Sequence, residues 1–159
     1  MVEESNLKYW RDAGHVARRT LEAMKDELQP GKTFPEIIEA AERFIHRHGG
    51  KPAFPGTIAV NDLAAHFTTN HQVLGVEGWD GDMVLQNGDC VKIDFGVHIK
   101  GHIGDNALTL EIGNSNQHTE QIKAAKEARD AAVEMMHPGT PWYKVGQAAA
   151  QPSLDAGFQ

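Results

Sequence analysis

Two aspartates, Asp94 and Asp105, are the residues of this chain best suited to chemistry. They lie eleven positions apart on either side of Lys100-Gly101, a pair typical of a tight hairpin turn because glycine accepts the positive φ that such a turn needs. If Lys100 and Gly101 are the turn residues, Gly96 faces Asp105, whereas a turn one position earlier makes Asp94 face Asp105. In either register the two carboxylates lie on one face of the sheet, roughly 4.5–8 Å apart.

Two carboxylates at that separation repel each other, so a cation should lie between them. On the same face of the first strand the sequence offers only Lys92 and His98, both near the strand ends. A divalent metal, which favours hard oxygen ligands, is the better fit. The alternative is that both aspartates are ordinary solvated residues. The glycines interleaved with them, Gly96, Gly101 and Gly104, weigh against it because they indicate close approach by a ligand or by backbone.

A pair of strands must hold these aspartates, and the surrounding pattern predicts one. Residues 91–99 alternate between apolar residues and polar or small ones, which is the period of a half-buried strand. The alternation resumes after the turn at Leu108, Leu110 and Ile112. The face opposite the aspartates is apolar and collects Phe95, Val97, Ile99, Leu108 and Leu110.

Two helices are predicted before this hairpin. The first covers about residues 6–28, where apolar side chains recur at helical spacing, and Ser5 is its expected N-cap. The second begins at a capping box formed by Thr33 and Glu36 and ends at Gly49-Gly50.

Two more helices are predicted after the hairpin. One covers about residues 117–136, with Asn114-Ser115-Asn116 as its cap. The next opens at Pro141-Trp142 and is interrupted early by Pro152, because proline lacks the backbone donor that a helix interior uses.

Residues 69–86 are polar and rich in glycine, which predicts an extended surface loop. The loop contains His71, Asp80 and Asp82, which suit a metal chemically. We interpret them instead as solvated loop residues.

Composition excludes several classes of protein. The chain has 159 residues, 17.4 kDa and 40% hydrophobic residues, enough for one domain with a core. A formal charge of −7 without any basic run argues against a nucleic-acid surface. Because Cys90 is the only cysteine, an internal disulfide is excluded, and we expect a buried structural thiol in a reducing compartment. Without a signal-peptide pattern or a long apolar run, we expect a cytoplasmic protein with no membrane partner.

The segment Asp94-Phe95-Gly96, followed by Asp105 and preceded by Gly88-Asp89 and Ala64-Ala65-His66-Phe67-Thr68, resembles the methionine aminopeptidases. The type 2 branch, archaeal and eukaryotic, is the most similar. The aspartate hairpin is shared with the wider pita-bread family that includes prolidase and creatinase, whereas Ala-Ala-His-Phe-Thr is the narrower signal. The resemblance runs from about Leu7 to the end of the chain.

The resemblance implies an α+β pita-bread fold, in which helices cover an antiparallel sheet. It implies that Asp94 binds one divalent metal and that Asp105 bridges two, with cobalt, manganese, iron or zinc as candidates. It implies that His66 contacts the substrate at the scissile peptide and is catalytic, and that Phe54 is a wall of the pocket for the N-terminal methionine. The remaining ligands of the family, a histidine and two glutamates, belong to its second half and have no counterpart in this sequence.

An approximate internal repeat supports that division. Shifting the chain by 108 residues superposes Pro30-Gly31 on Pro138-Gly139, Phe34 on Trp142 and Ile37 on Val145. We therefore expect residues 1–113 to be the first pseudosymmetric half and residues 114–159 the first helices of the second. The chain is then an N-terminal portion of a peptidase domain, and a second chain or a dimer is a possible source of the missing ligands.

The first functional hypothesis is metal-dependent removal of the N-terminal methionine from nascent proteins, weak or absent in this chain alone. The alternative is a non-catalytic pita-bread homologue that binds a nascent chain, the ribosome or another protein. A prolidase-like peptidase is a third hypothesis, which the residues around His66 disfavour.

Overall fold

The computed structural model describes residues 4–68 and 83–158. Its helices are α1 (Glu4–Glu27), α2 (Phe34–Arg47), α3 (Thr119–Met135) and α4 (Trp142–Asp155). Its strands are β1 (Lys51–Pro52), β2 (Thr57–Val60), β3 (Cys90–Ile99) and β4 (His102–Glu111). All strand pairs are antiparallel: β3 pairs with β4 along one edge, and with β2 and β1 along the other. The predicted α+β class with an antiparallel sheet is confirmed.

The hairpin of β3 and β4 has the first of the two predicted registers. Ile99 pairs with His102 and Gly96 pairs with Asp105. Lys100 and Gly101 both have positive φ, 50° and 80°, as the mirror-image turns that suit a twisted hairpin require. Asp94 therefore pairs with Ala107 and lies diagonal to Asp105 on the same face.

The apolar face of the sheet forms the core with α1 and α2. Ile93, Phe95 and Val97 of β3 are at most 1% exposed, and Ile37 of α2 is equally buried. Helix α1 crosses the hairpin so closely that a Cβ atom at Gly104 would lie 2.6 Å from the Cα atom of Gly14. Gly104 is thus explained by contact with backbone and not by a ligand.

The predicted start of α2 is confirmed. The Thr33 hydroxyl oxygen accepts from the Glu36 N–H at 3.3 Å, and the Glu36 carboxylate accepts from the Thr33 N–H at 2.8 Å. These reciprocal bonds form a capping box that satisfies two donors at the helix end.

Three predicted helix boundaries are wrong. Ser5 lies inside α1, which already includes Glu4, so it is not the cap. Helix α3 begins at Thr119 without a side-chain cap, and the Ser115 hydroxyl donates instead to the Glu111 carboxylate. Pro152 does not interrupt α4 but lies in its last turn, and the helix continues to Asp155.

Two compact units make up the chain, Met1–Ser115 and Asn116–Gln159. The first contains α1, α2 and the sheet, and the second contains α3 and α4 with Ala124 and Val145 buried. None of the helices in the described part of the chain has the length and hydropathy needed to cross a bilayer. Cys90 is a free thiol that is 8% exposed, and burial raises its pKa, so the predicted buried thiol is confirmed.

Candidate metal and substrate site

Asp94, Asp105, His66 and Phe54 line a single cleft of about 390 Å³. The cleft lies on the face of the sheet opposite the core, because Asp94 alternates with the buried Ile93 and Phe95. The structure thus brings together all four residues singled out from the sequence. Three more residues complete the lining, namely Pro55, Thr57 and Thr68.

The two carboxylates form an uncompensated acidic pair. Asp94 is partly buried and Asp105 is exposed. The Oδ1 atom of Asp94 is buried and has no hydrogen-bond partner among the described residues. Burial and, after it, the negative charge of Asp105 raise the pKa of Asp94 above its ordinary value, while the charge of His66 acts in the opposite direction.

The nearest basic residues of the strand do not neutralise this pair. The Lys92 ammonium donates to the backbone oxygen of Asn61 at 2.8 Å, and the Nδ1 atom of His98 accepts from the N–H of Gly101 at 3.4 Å. No lysine or arginine within residues 4–68 and 83–158 forms an ion pair with either aspartate.

Hard oxygen donors without a basic partner suit a divalent cation, so the residues present fit a metal in part. They supply two ligands only. The described residues contain no cluster of three or more histidine, cysteine, aspartate or glutamate side chains that could hold a metal ion. The loop residues His71, Asp80 and Asp82 lie outside the described ranges, as does most of the predicted 69–86 loop.

His66 is presented to the cleft by a closed loop. The N–H of Ile58 donates to the Phe67 oxygen at 2.9 Å, and the Thr68 hydroxyl donates to the Gly56 oxygen at 2.8 Å. These bonds fasten the end of the loop to β2. His66 itself has φ of 60°, a left-handed conformation that residues other than glycine adopt rarely and that occurs often at functional sites.

Phe54 forms its part of the cleft by packing on Gly96. A Cβ atom at Gly96 would lie 2.6 Å from the Cδ1 atom of the Phe54 ring, so the ring occupies the space that any other residue would fill. The N–H of Ala53 donates to the Gly96 oxygen at 2.9 Å and fixes the backbone beside the ring. Gly96 is therefore explained by an aromatic side chain, and not by a ligand or by backbone as its position in the strand suggests.

Two residues of the cleft, Thr57 and Thr68, are not indicated by the sequence pattern. Thr57 pairs with Asp94 across β2 and β3, so their side chains lie on the same face. Thr57 alternates with the apolar Ile58, but no local pattern indicates the strand with which β2 pairs. Thr68 belongs to the same motif as His66, but the resemblance implies a role for His66 only.

The match to known proteins decides the family. Residues 8–159 match the model of metallopeptidase family M24. This chain belongs to that family. Membership implies a requirement for divalent metal ions, in agreement with the acidic pair in the cleft.

Two curated relatives of this M24 chain are methionine aminopeptidases. The Archaeoglobus fulgidus enzyme is 34% identical over 148 residues, which cover 93% of this chain and 47% of the relative. The Pyrococcus horikoshii enzyme is 36% identical over 148 residues, which cover 92% of this chain and 46% of the relative. The predicted resemblance to the archaeal methionine aminopeptidases is confirmed. This chain spans just under half the length of these relatives.

Solved structures show the fold of the M24 chain. A methionine aminopeptidase from Rickettsia prowazekii has a TM-score of 0.84 at 24% identity. The superposition covers 98% of this chain and 62% of that enzyme. An X-Pro aminopeptidase from Thermotoga maritima has a TM-score of 0.80 at 19% identity. That superposition covers 98% of this chain and 42% of the enzyme. The predicted pita-bread fold is confirmed.

Proposed function

We propose that this M24 chain is the N-terminal part of a methionyl aminopeptidase, which removes the initiator methionine from nascent polypeptides in the cytoplasm. The observation that carries the proposal is the cleft itself. It combines a buried, unpartnered Asp94 oxygen and a second carboxylate with an exposed histidine and an aromatic wall. A prolidase-like activity is less well supported, because the Archaeoglobus fulgidus and Pyrococcus horikoshii relatives, at 34% and 36% identity, are named methionine aminopeptidases.

Each cleft residue has a role in this proposal. Asp94 and Asp105 hold divalent metal ions, two in the complete site, drawn from cobalt, manganese, iron and zinc. When bound, such ions lower the pKa of a water molecule and polarise the scissile carbonyl. His66 donates a hydrogen bond to the scissile peptide or exchanges a proton with it, which suits an imidazole near neutral pH. The Phe54 ring contacts the methionine side chain.

The metal site needs further ligands, since sites that bind a metal tightly normally have three or more ligands from the protein. We propose that a second pseudosymmetric half supplies them, with residues 1–113 as the first half and 114–159 as the start of the second. A second chain is the other possible source.

The internal geometry of the helices supports this division. Helices α2 and α4 each have 14 residues and begin at Phe34 and Trp142, the offset of the sequence repeat. Gly31 and Gly139, which precede them at equivalent positions, both have φ of 89°.

The second candidate function is a non-catalytic homologue that binds a nascent chain, the ribosome or another protein. It is favoured by the presence of only two acidic ligands in the cleft within the described ranges. Retention of two mutually repelling carboxylates counts against it, because a binding surface has no need of them.

Calorimetric titration with a divalent metal separates the two candidates. We expect weak binding by the wild-type chain and none by Asp94→Ala or Asp105→Ala. In any assembly that turns over, metal-dependent cleavage of Met-Ala-Ser should be lost in both variants. Absence of metal binding by the chain and by every assembly that contains it would favour the binding protein.

A further inference from the structure

Asn61 lies at the turn between β2 and the loop that carries His66, and all its polar groups bond to the start of β3. Its N–H donates to the Cys90 oxygen at 2.9 Å, and its Oδ1 atom accepts from the Cys90 N–H at 2.9 Å. Its Nδ2 atom donates to the Asp89 Oδ1 atom at 2.9 Å. Its own backbone oxygen accepts from the Lys92 ammonium at 2.8 Å. Asn61 is therefore fixed to the strand that carries Asp94.

The loop of residues 61–68 is closed at both ends. Asn61 fastens its beginning to β3, and the bonds of Phe67 and Thr68 fasten its end to β2 and Gly56. No hydrogen bond from the described part of the chain holds the His66 imidazole. The position of that imidazole relative to Asp94 consequently depends on the backbone of the loop, on its two fastenings and on the packing of the Phe67 ring against Phe34.

Asparagine meets two demands at this position. Its φ of 51° is left-handed, a conformation that asparagine tolerates better than most residues. Its carboxamide offers a donor for the Asp89 carboxylate and an acceptor for the Cys90 N–H. Glycine would meet only the first demand, and aspartate would direct a second carboxylate at Asp89.

We infer that Asn61 is a positioning residue, which holds the loop so that His66 faces the acidic pair in the cleft. Its importance for turnover rests on the proposed function. Its effect on the placement of His66 does not, because it depends on the hydrogen bonds of Asn61 and not on the reaction.

The partner Asp89 permits a reciprocal test. Its Oδ2 atom accepts from the Gln86 N–H at 2.8 Å while its Oδ1 atom accepts from Asn61. In the double variant Asn61→Asp with Asp89→Asn, the amide introduced at position 89 can donate to the carboxylate introduced at position 61. The amide oxygen at position 89 can still accept from the Gln86 N–H. The hydrogen bonds are thereby restored with donor and acceptor exchanged.

The experiment records the imidazole ¹H–¹³C Cε1 NMR signals of the metal-free chain at one fixed pH, with the His66 signal assigned from His66→Gln. We expect Asn61→Asp and Asn61→Gly to shift and broaden the His66 signal while other histidine signals stay in place. The double exchange should restore it. The matched control is Asp62→Asn, a charge change at an exposed neighbour in the same loop, which should leave the His66 signal unchanged.

In an assembly that turns over, kcat for Met-Ala-Ser should fall by about 10- to 100-fold in Asn61→Asp, with KM nearly unchanged, and recover in the double exchange. The inference is overturned if the His66 signal is unmoved in folded Asn61→Asp and Asn61→Gly, or if the double exchange folds without restoring it. Should Asn61→Asp fail to fold, the His66 signals of Asn61→Gly and of the double exchange still test the inference. An NMR response without any effect on turnover supports the positioning by Asn61 and contradicts the proposed role of His66.

Discussion

At the scale of single residues, the Oδ1 atom of Asp94 is unfavourable for stability, because it is buried and has no hydrogen-bond partner among the described residues. A buried acceptor without a partner costs about 1–3 kcal/mol, and here it belongs to a carboxylate beside Asp105. Selection for stability alone would replace such a residue. Its presence is explained if a cation completes the site.

The first prediction is that Asp94→Asn stabilises the metal-free chain by about 1 kcal/mol. The substitution removes the repulsion from Asp105 and gives the buried group a donor that Asp105 can accept. Urea unfolding in the presence of a chelator measures it. Asp62→Asn, at an exposed position without a charged partner in the described residues, is the control and should have little effect.

Addition of a divalent metal should make the wild-type chain more stable than Asp94→Asn. Only a chain with both carboxylates binds the ion, and binding stabilises the folded state by mass action. If Asp94→Asn is the less stable chain under chelation, the aspartates are not a repulsive pair.

Cys90 provides a second prediction at this scale. Because burial raises its pKa and the side chain is 8% exposed, the native thiol should react slowly with a thiol reagent at mildly alkaline pH. Reaction should become fast only in denaturant. Rapid labelling of the native chain, followed spectroscopically, would contradict the burial of Cys90.

At the scale of elements, the hairpin was predictable because its signals are local. Alternation along residues 91–99 and the pair Lys100-Gly101 determine the strand, the turn and the shared face of Asp94 and Asp105. The capping box at Thr33 is likewise contained in four consecutive residues.

Features that depend on pairing between distant segments were not predictable. Thr57 reaches the cleft because β2 pairs with β3, and Asn61 bonds to residues that follow it by 28 and 29 positions. No local pattern contains those pairings. The predicted cap of α1 was wrong because the helix begins before Ser5, and that of α3 was wrong because the Ser115 hydroxyl donates to the Glu111 carboxylate.

Alanine substitutions at two glycines where α1 contacts β4 should have opposite effects on stability. Gly104→Ala places a methyl group against the backbone of Ala13 and Gly14, so the helix must shift, and we expect a loss of about 1–3 kcal/mol. Gly14→Ala meets nothing within 4 Å and should stabilise the helix by about 0.5–1 kcal/mol. Equilibrium unfolding of both variants tests the packing of α1, and effects of the same sign would disprove it.

The capping box at the start of α2 predicts a dependence on pH. The backbone N–H of Thr33, and then its hydroxyl, lower the pKa of Glu36 below its ordinary value. The folded state therefore favours the carboxylate, and this stabilisation is present above the unfolded-state pKa and lost as pH falls through the folded pKa. Wild type should exceed Glu36→Gln in stability at neutral pH, and the difference should vanish in acid. A difference that grows in acid would be inconsistent with the capping box.

At the scale of the whole chain, the two units differ in how they bury equivalent apolar positions. Leu28 and Phe34 are 4% and 2% exposed in the first unit, where they pack with the strands of the sheet. Met136 and Trp142, which the 108-residue offset places at the same positions, are 51% and 77% exposed. The sequence predicts the correspondence of helices, but it cannot predict this difference, because burial depends on a sheet that only the first unit contains within the described residues.

The last prediction follows from that exposed surface. Trp142 and its chain neighbour Tyr143 are 77% and 64% exposed, and exposed aromatic surface favours association between molecules. We expect the chain to self-associate as its concentration rises, and Trp142→Lys to reduce that association in sedimentation velocity without lowering the thermal midpoint. Gln147→Lys adds the same charge at an exposed polar position of the same helix, so it separates the loss of apolar surface from the gain of charge. Equal effects of the two variants would show that net charge, and not the apolar surface at Trp142, controls the association.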